Sequence, residues 1–152
     1  MFRGPDSLTV DAKGRMPIPT RHREHIAELC GGQLIVTCDR DRCLLIYPEP
    51  TWLEVEARIN AMPRANAFAR NMQRMLVGNA MPVEMDSAHR ILIKPMHRDY
   101  ARIDRKVVLI GQDNKFELWD DAVYQKKLGD WGIPEGGTEA APADESMATF
   151  QW

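Results

Sequence analysis

The sequence predicts a mixed α+β fold that is built from two copies of one unit and followed by an acidic tail. A short pattern of Asp, Arg, Ile and Arg occurs twice, at an offset of 75 residues. Each copy precedes apolar, β-branched runs that are typical of strands, and then a helix-start signal. The end of the chain is rich in Gly, Pro, Ala and acidic residues, a composition typical of a flexible segment.

The duplication rests on "DAKGRMPIPTRHR", residues 11–23, and "DSAHRILIKPMHR", residues 86–98. No gap is needed to align them, and the pairs of identical residues include Asp11 with Asp86, Arg15 with Arg90, Ile18 with Ile93, and Arg23 with Arg98. At two further positions the copies differ, with Gly14 opposite His89 and Pro19 opposite Lys94. Similarity at a fixed offset predicts a repeated structural unit.

Each copy is interpreted as a strand, a short helical turn, two further strands and a helix. The runs "QLIVTC" and "KVVLIG" predict the middle strands, and the last strands end in the aromatic residues Tyr47 and Trp119. Prolines in the first copy and aspartates in the second predict where the final helices begin. In the first of these helices, apolar residues recur at helical spacing and predict a buried stripe of Trp52, Val55, Ile59 and Met62.

These patterns divide the chain into residues 1–62 as the first unit, 63–80 as a linking helix, 81–129 as the second unit and 130–152 as an acidic flexible tail. The linking segment places Phe68, Met72, Met75 and Leu76 on one helical face and arginines on the other, and Gly78 is expected to end the helix. Those arginines are interpreted as a solvated face more readily than as a nucleic-acid contact.

The net charge of −2 hides an uneven distribution. From residue 130 onward there are five acidic residues and no Lys or Arg, so the first 129 residues carry a net charge of +3. A mildly basic body weakly favours a polyanionic partner. No apolar run reaches the roughly 18 residues of a membrane span, and the N-terminus lacks a signal-peptide pattern. We therefore expect a cytoplasmic protein without a membrane partner.

The three cysteines have neither an even number nor a C-x-x-C spacing, so reduced thiols are expected. His22 and His25 have a spacing that metal sites use, but no further ligand cluster accompanies them, and no metal or cofactor is expected. The sequence contains no Gly-rich phosphate loop, G-x-S-x-G or H-E-x-x-H motif. An enzyme would require a pocket of converging titratable groups, and the residues give no support for one.

The repeated motif predicts a rigid turn that presents basic side chains. An aspartate at its start accepts backbone N–H groups, and Gly14 can adopt a positive φ. Arg15 then leads into a short strand, and the helix that follows, with Arg21, His22, Arg23 and His25, is expected to add positive charge nearby. Asp11 precedes Arg15 by four residues, as Asp86 precedes Arg90, so each carboxylate can orient a guanidinium group.

Two interpretations of each Asp–Arg pair stay open. An oriented arginine on a loop is suited to phosphates and to guanine edges. The same pair can instead serve only to tie the repeat together, and a structural pair would also be duplicated. At the level of the whole chain, the alternative to a nucleic-acid-binding protein is an oligomeric protein–protein interaction scaffold without nucleic acid.

Taken together, "MFRG", "DAKGRMPIPTRHR", "LLIYPEPTW", "NMQRMLVGNA" and "GQDNKFELWD" resemble the MraZ family of bacterial transcriptional regulators. The resemblance covers Met1 to about Leu128. It implies two AbrB-like units of the swapped-hairpin β-barrel type with flanking helices, each with a D-x-x-G-R turn. It further implies a ring-shaped homo-oligomer, associated with the nucleoid, that binds short direct repeats in double-stranded promoter DNA and represses the division and cell-wall gene cluster.

The DNA-binding residues expected from the motif and the resemblance are Arg3, Lys13, Gly14, Arg15, His89 and Arg90. Arg15 is expected to contact a base edge and Lys13 a phosphate, while Asp11 and Asp86 position the arginines. His89 and Lys94 depart from the Gly and Pro of the family motif. Histidine is among the residues that better tolerate a positive φ, so the second turn is expected to form.

Overall fold

The computed structural model of the chain describes residues 1–132, which form eight β-strands, five α-helices and one π-helical turn. The first half contains β1 (Phe2–Thr9), β2 (Arg15–Pro17), α1 (Thr20–Cys30), β3 (Gln33–Cys38), β4 (Leu44–Pro48) and α2 (Glu49–Asn60). Then come α3 (Ala67–Met72) and the π-helical turn (Gln73–Val77). The second half contains β5 (Met81–Glu84), β6 (Arg90–Leu92), α4 (Pro95–Tyr100), β7 (Lys106–Asp113), β8 (Lys115–Asp120) and α5 (Asp121–Trp131).

The strands form one six-stranded antiparallel sheet, in the order β1-β7-β8-β4-β3-β5, and a separate two-stranded ribbon of β2 and β6. β1 pairs with β7 at one edge of the sheet, and β5 pairs with β3 at the other edge. The first strand of each half therefore pairs with a strand of the other half. The predicted mixed α+β fold with an internal duplication is confirmed, whereas the barrel type that the resemblance implies stays a prediction.

Both halves have the element order strand, strand, helix, strand, strand, helix, which adds an initial strand to the predicted order. The stretch "FRGPDSLT" forms β1 although Gly, Pro and Asp are poor strand formers. Because β1 lies at an edge of the sheet, Pro5 can sit there without breaking a ladder on both sides. The helical part of the predicted linking segment is restricted to residues 67–77 and ends before Gly78, as expected.

The main hydrophobic core lies between the ribbon and the sheet. Met16 and Ile91 of the ribbon, and Ile18 and Ile93 directly after its two strands, are at most 1% exposed and belong to this core. Burial of such a side chain contributes on the order of 1.5–3 kcal/mol. The ribbon is thus fixed firmly to the sheet, with its alternate side chains facing outward.

A second hydrophobic cluster covers the opposite face of the sheet. Trp52, Val55 and Ile59 of α2 are buried there, as the predicted stripe requires, while Met62 is half-buried. The hydroxyl group of Thr37 on β3 donates to the carbonyl oxygen of Leu76 at 2.5 Å, which holds the π-helical turn against the sheet. The ribbon and α2 consequently lie on opposite faces.

Two histidines at corresponding positions in α1 and α4 are buried. His22 packs against the rings of Phe2 and Phe116, and its Nε2 atom is 3.6 Å from Asp6 Oδ2, beyond hydrogen-bond distance. The Nε2 atom of His97 is 2.8 Å from the carbonyl oxygen of Asn79. Burial is the main reason that the pKa of each imidazole lies below its usual value.

We expect the free energy of unfolding to fall when the pH is lowered below about 6.5, the usual value for histidine. In that range the unfolded chain binds more protons than the folded chain, because folding lowers the pKa of His22 and His97. Urea denaturation between pH 7.5 and 5 measures this trend. His22→Gln and His97→Gln should each flatten the dependence, and an unchanged curve for both variants would contradict the assignment.

All three cysteines are free thiols, as expected; Cys38 and Cys43 are buried and Cys30 is partly buried. Burial raises the pKa of Cys38 to about 11. Among residues 1–132, no helix has the length and hydropathy that crossing a bilayer requires. The predicted acidic tail lies, apart from its first three residues, outside the described residues.

Candidate nucleic-acid interface

The first repeated motif forms a tight turn, here called the first loop (Asp11–Arg15). The Oδ1 atom of Asp11 accepts the backbone N–H groups of Lys13 and Arg15, each at 2.9 Å. Its Oδ2 atom accepts the Nε–H of Arg15 at 2.8 Å. The backbone N–H of Arg15 is the largest cause of a pKa for Asp11 below its usual value. The carboxylate therefore orients the guanidinium group and closes the turn at the same time.

The second motif forms the same structure, here called the second loop (Asp86–Arg90). Asp86 Oδ1 accepts the backbone N–H groups of Ala88 and Arg90, each at 2.9 Å, and Oδ2 accepts Arg90 Nε–H at 3.2 Å. The backbone N–H of Arg90 is the main cause of a lowered pKa for Asp86. His89 has a φ of 59°, so this histidine adopts the left-handed conformation that Gly14 adopts in the first loop. The expected second turn is present.

Both loops feed into the ribbon, which brings the two motifs together. Arg15 of β2 lies opposite Leu92 of β6, and Pro17 lies opposite Arg90. The side chains of the two arginines are about one-third exposed, while Met16 and Ile91 between them face the core. Lys13 is exposed at the tip of the first loop. The outward face of the ribbon thus presents two oriented guanidinium groups and an ammonium group.

Two further arginines brace the ribbon, a role that the sequence analysis missed. Arg23 Nε–H donates to the carbonyl oxygen of Ile18 at 2.8 Å, and Arg98 Nε–H donates to that of Ile93 at 3.0 Å. The guanidinium group of Arg98 also packs beside Gly14, in the other half of the chain. The sequence does contain a signal for this role, because Arg23 and Arg98 are identical residues at corresponding positions of the repeat.

Gly14→Ala is expected to lower the free energy of unfolding by about 1–3 kcal/mol, the cost of a strained backbone position. Gly14 has a φ of 88°, and an added Cβ atom would lie 2.9 Å from the carbonyl oxygen of Ile93 and 3.2 Å from Arg98 Cζ. His89→Ala is the matched control, since His89 already carries a Cβ atom and its side chain is exposed. Urea denaturation should detect a clearly smaller loss there; equal losses would mean that these contacts do not require glycine.

The other basic residues of the first motif make contacts within the protein. Arg21 Nη2 is 2.6 Å from Asp6 Oδ2, and Arg21 Nη1 donates to the carbonyl oxygen of Arg3 at 2.6 Å. His22 is buried and Arg23 is bound to backbone. Asp6 thus neutralises Arg21, whereas the carbonyl group bonded to Arg23 is uncharged and leaves the charge of Arg23 in place. The expectation that this helix adds positive charge beside the turn stays a prediction.

Arg3 is exposed, but it lies at the opposite end of β1 from the first loop. Val10 is seven positions after Arg3, which at about 3.3 Å per residue corresponds to about 23 Å. The structure does not bring Arg3 together with Lys13 and Arg15. Elsewhere in residues 1–132, no group of three or more His, Cys, Asp or Glu side chains is placed to hold a metal ion.

The fold and the paired turns define a class of duplicated proteins in which two interlocked units present their loops on one shared ribbon. The model of one family, described as "MraZ protein, putative antitoxin-like", matches this chain twice, over residues 1–75 and 76–130. The chain belongs to the MraZ family, which confirms the resemblance.

Two relatives illustrate the extent of the similarity. A protein of Thioalkalivibrio sulfidiphilus named "Transcriptional regulator MraZ" is 47% identical over 149 residues, which cover 97% of this chain and 99% of that protein. A protein of Nitrosospira multiformis with the same name is 50% identical over 128 residues, which cover 84% of this chain and 87% of that protein.

Proposed function

We propose that the protein is a sequence-specific DNA-binding transcriptional regulator that recognises short direct repeats in promoter DNA. On this proposal it represses the division and cell-wall gene cluster, in the cytoplasm and on the nucleoid. The names of the relatives as transcriptional regulators support the general class. The observation that carries the DNA-binding role is the pair of oriented arginines on the outward face of the ribbon.

A two-stranded β-ribbon has dimensions that fit the major groove of B-DNA. Arg15 is held by a carboxylate, so part of the entropy cost of ordering its side chain is already met before DNA binds. The Nε atom contacts Asp11, and no hydrogen bond within residues 1–132 occupies the Nη atoms of Arg15. Those two terminal nitrogens are therefore available for a guanine edge or a phosphate.

The roles follow from these positions. Arg15 reads a base edge and Lys13 contacts a phosphate. Gly14 gives the first turn its shape, and Asp11 positions Arg15 without touching DNA. In the second loop, Asp86 positions Arg90, while His89 sits exposed at the DNA-facing turn. A role for Arg3 requires a separate contact, since it lies at the far end of β1.

Homo-oligomerisation into a ring is part of the proposal, and exposed apolar side chains support it. Leu53 on α2 is 56% exposed, and Leu128 and Trp131 on α5 are 44% and 48% exposed. Both helices lie on the face of the sheet opposite the ribbon, because α2 packs on the second cluster and Trp131 packs on Trp119 of β8. Subunit contacts through these helices would leave every ribbon free for DNA.

A gel-shift titration with the DNA immediately upstream of the protein's own gene tests the proposal, with unrelated DNA of equal length as the control. We expect retardation of the upstream DNA at protein concentrations that leave the control unbound. Affinity should also fall steeply with salt, because phosphate contacts release counterions. Equal binding to both DNAs would contradict sequence-specific recognition, and no binding to either would favour the alternative of a protein–protein scaffold.

A further inference from the structure

The register of the ribbon places residues of the second unit beside the first loop. Arg15 pairs with Leu92, and beyond the ladder the backbone N–H of Ile93 donates to the carbonyl oxygen of Gly14 at 2.8 Å. The antiparallel pairing therefore extends one residue beyond β2. Lys94 follows directly after Ile93, while Lys13 directly precedes Gly14.

The distance between these two lysines is limited by the backbone. Hydrogen-bonded partners in an antiparallel pair have Cα atoms about 5.5 Å apart, and consecutive Cα atoms are about 3.8 Å apart. The Cα atoms of Lys13 and Lys94 are thus at most about 13 Å apart, close to the roughly 12 Å width of the major groove. Both ammonium groups can reach phosphates that border the same groove.

The equivalent positions at the second loop carry less charge. The internal repeat relates Lys13, Arg15 and Lys94 at the first loop to Ala88, Arg90 and Pro19 at the second loop. At these three positions there are therefore three cations at one end of the ribbon and one cation at the other end. The difference in charge appears only when Lys94 is counted with the first loop, beside which the ribbon places it. By sequence, Lys94 belongs to the second motif.

Lys94 is available for an external contact. It is partly exposed, and its ammonium group makes no hydrogen bond or ion pair within residues 1–132. Its carbonyl oxygen accepts the backbone N–H groups of His97 and Arg98, each at 3.0 Å. Its backbone has φ −66° and ψ 152°, and its counterpart Pro19 has φ −55° and ψ 138°. Both residues immediately precede a helix in the same conformation, so the side chain of Lys94 is not needed to shape the backbone.

We infer that the second unit completes the DNA site of the first unit, with Lys94 binding a phosphate of the groove that Lys13 and Arg15 enter. This inference rests on the proposed DNA-binding function. Leu92, which is 44% exposed and lies directly opposite Arg15, forms the apolar part of the same composite site. The first loop is thus one half of a site whose other half lies about 80 residues later in the chain.

Lys94→Pro provides the sharpest test, because it replaces Lys94 by the residue found at the corresponding position of the first unit. The φ of −66° at this position is one that proline adopts without strain. The variant should bind upstream DNA more weakly than the parent. The slope of log affinity against log salt concentration should become shallower by about 0.9 for each engaged subunit. Lys94→Arg should retain the parent slope. Lys126→Ala, an exposed lysine on α5 across the sheet from the ribbon, is the matched control and should also leave it unchanged.

Photo-crosslinking then separates a composite site from an independent second site. A benzophenone amino acid at position 94 should label the nucleotides that the same group labels from position 13, and not those labelled from position 88. The inference is overturned if position 94 labels the same nucleotides as position 88, or if Lys94→Pro keeps the salt slope of the parent. Both results leave the proposed function intact. Failure of the parent protein to bind the upstream DNA overturns both.

Discussion

Arg15→Ala is expected to abolish specific DNA binding while the protein keeps its fold and its oligomeric size. Loss of a bidentate base contact costs about 1–3 kcal/mol, and an oligomer loses that amount in every engaged subunit. The side chain of Arg15 is bonded to Asp11 within the same loop. The turn itself is closed by the backbone N–H groups of Lys13 and Arg15, which donate to the Asp11 carboxylate, and by backbone bonds of Asp11 with Gly14 and Arg15. Removal of the guanidinium group therefore leaves the turn in place.

Arg90→Ala is the matched control, since Arg90 makes the same internal contacts in the second loop. We expect a smaller loss of affinity for it, because the first loop carries Lys13 where the second carries Ala88. Gel shifts, urea denaturation and size-exclusion chromatography on both variants measure binding, stability and assembly. If Arg15→Ala shifts DNA as the parent does, the Asp11–Arg15 pair serves the fold alone.

The second large effect concerns the number of DNA repeats. A single repeat is expected to bind weakly, while two or three repeats in series should bind tighter by a factor of about 10²–10⁴. The reason is that each subunit of a ring offers one first loop, and binding of one loop raises the effective concentration of the next. Titration of DNA with one, two and three repeats, at one salt concentration, measures the gain.

Repeat spacing provides the control for this effect. An insertion of about 5 base pairs between repeats turns them to opposite sides of the duplex, since one helical turn takes 10–10.5 base pairs. Affinity should then fall toward that of a single repeat, whereas an insertion of a full turn should be tolerated better. If one repeat binds as tightly as several repeats, the linked binding of neighbouring loops is ruled out. The first loop would then be an independent high-affinity site.

Local sequence was sufficient for the parts of the fold that depend on near neighbours. The carboxylate of Asp11 accepts backbone groups two and four residues away, so the turn could be anticipated from its spacing. The same is true of His89, whose positive φ follows from its alignment with Gly14. The buried stripe of Trp52, Val55 and Ile59 also follows from helical periodicity alone.

Features that depend on distant pairing could not be anticipated. β1 is built from weak strand formers and is stabilised by β7, whose paired residues lie between 97 and 111 positions later in the chain. Lys94 belongs to the second unit by sequence, and its place beside the first loop depends on the ribbon register. Arg21 is a basic residue, but its charge is paired with that of Asp6 once β1 has formed. In each case the deciding partner comes from a separate element of the fold.

The exchange of first strands affects how the chain can acquire its structure during translation. β1 leaves the ribosome early, but its partner β7 begins at Lys106. At about 5–20 residues per second, the first strand waits roughly 5–20 s for that partner to be synthesised. During this interval the core residues Val107, Leu109 and Phe116 of the second unit have not yet been synthesised. We therefore expect the nascent first unit to bind chaperones at the tunnel exit, and a message truncated before β7 to yield a product for proteolysis rather than a smaller working protein.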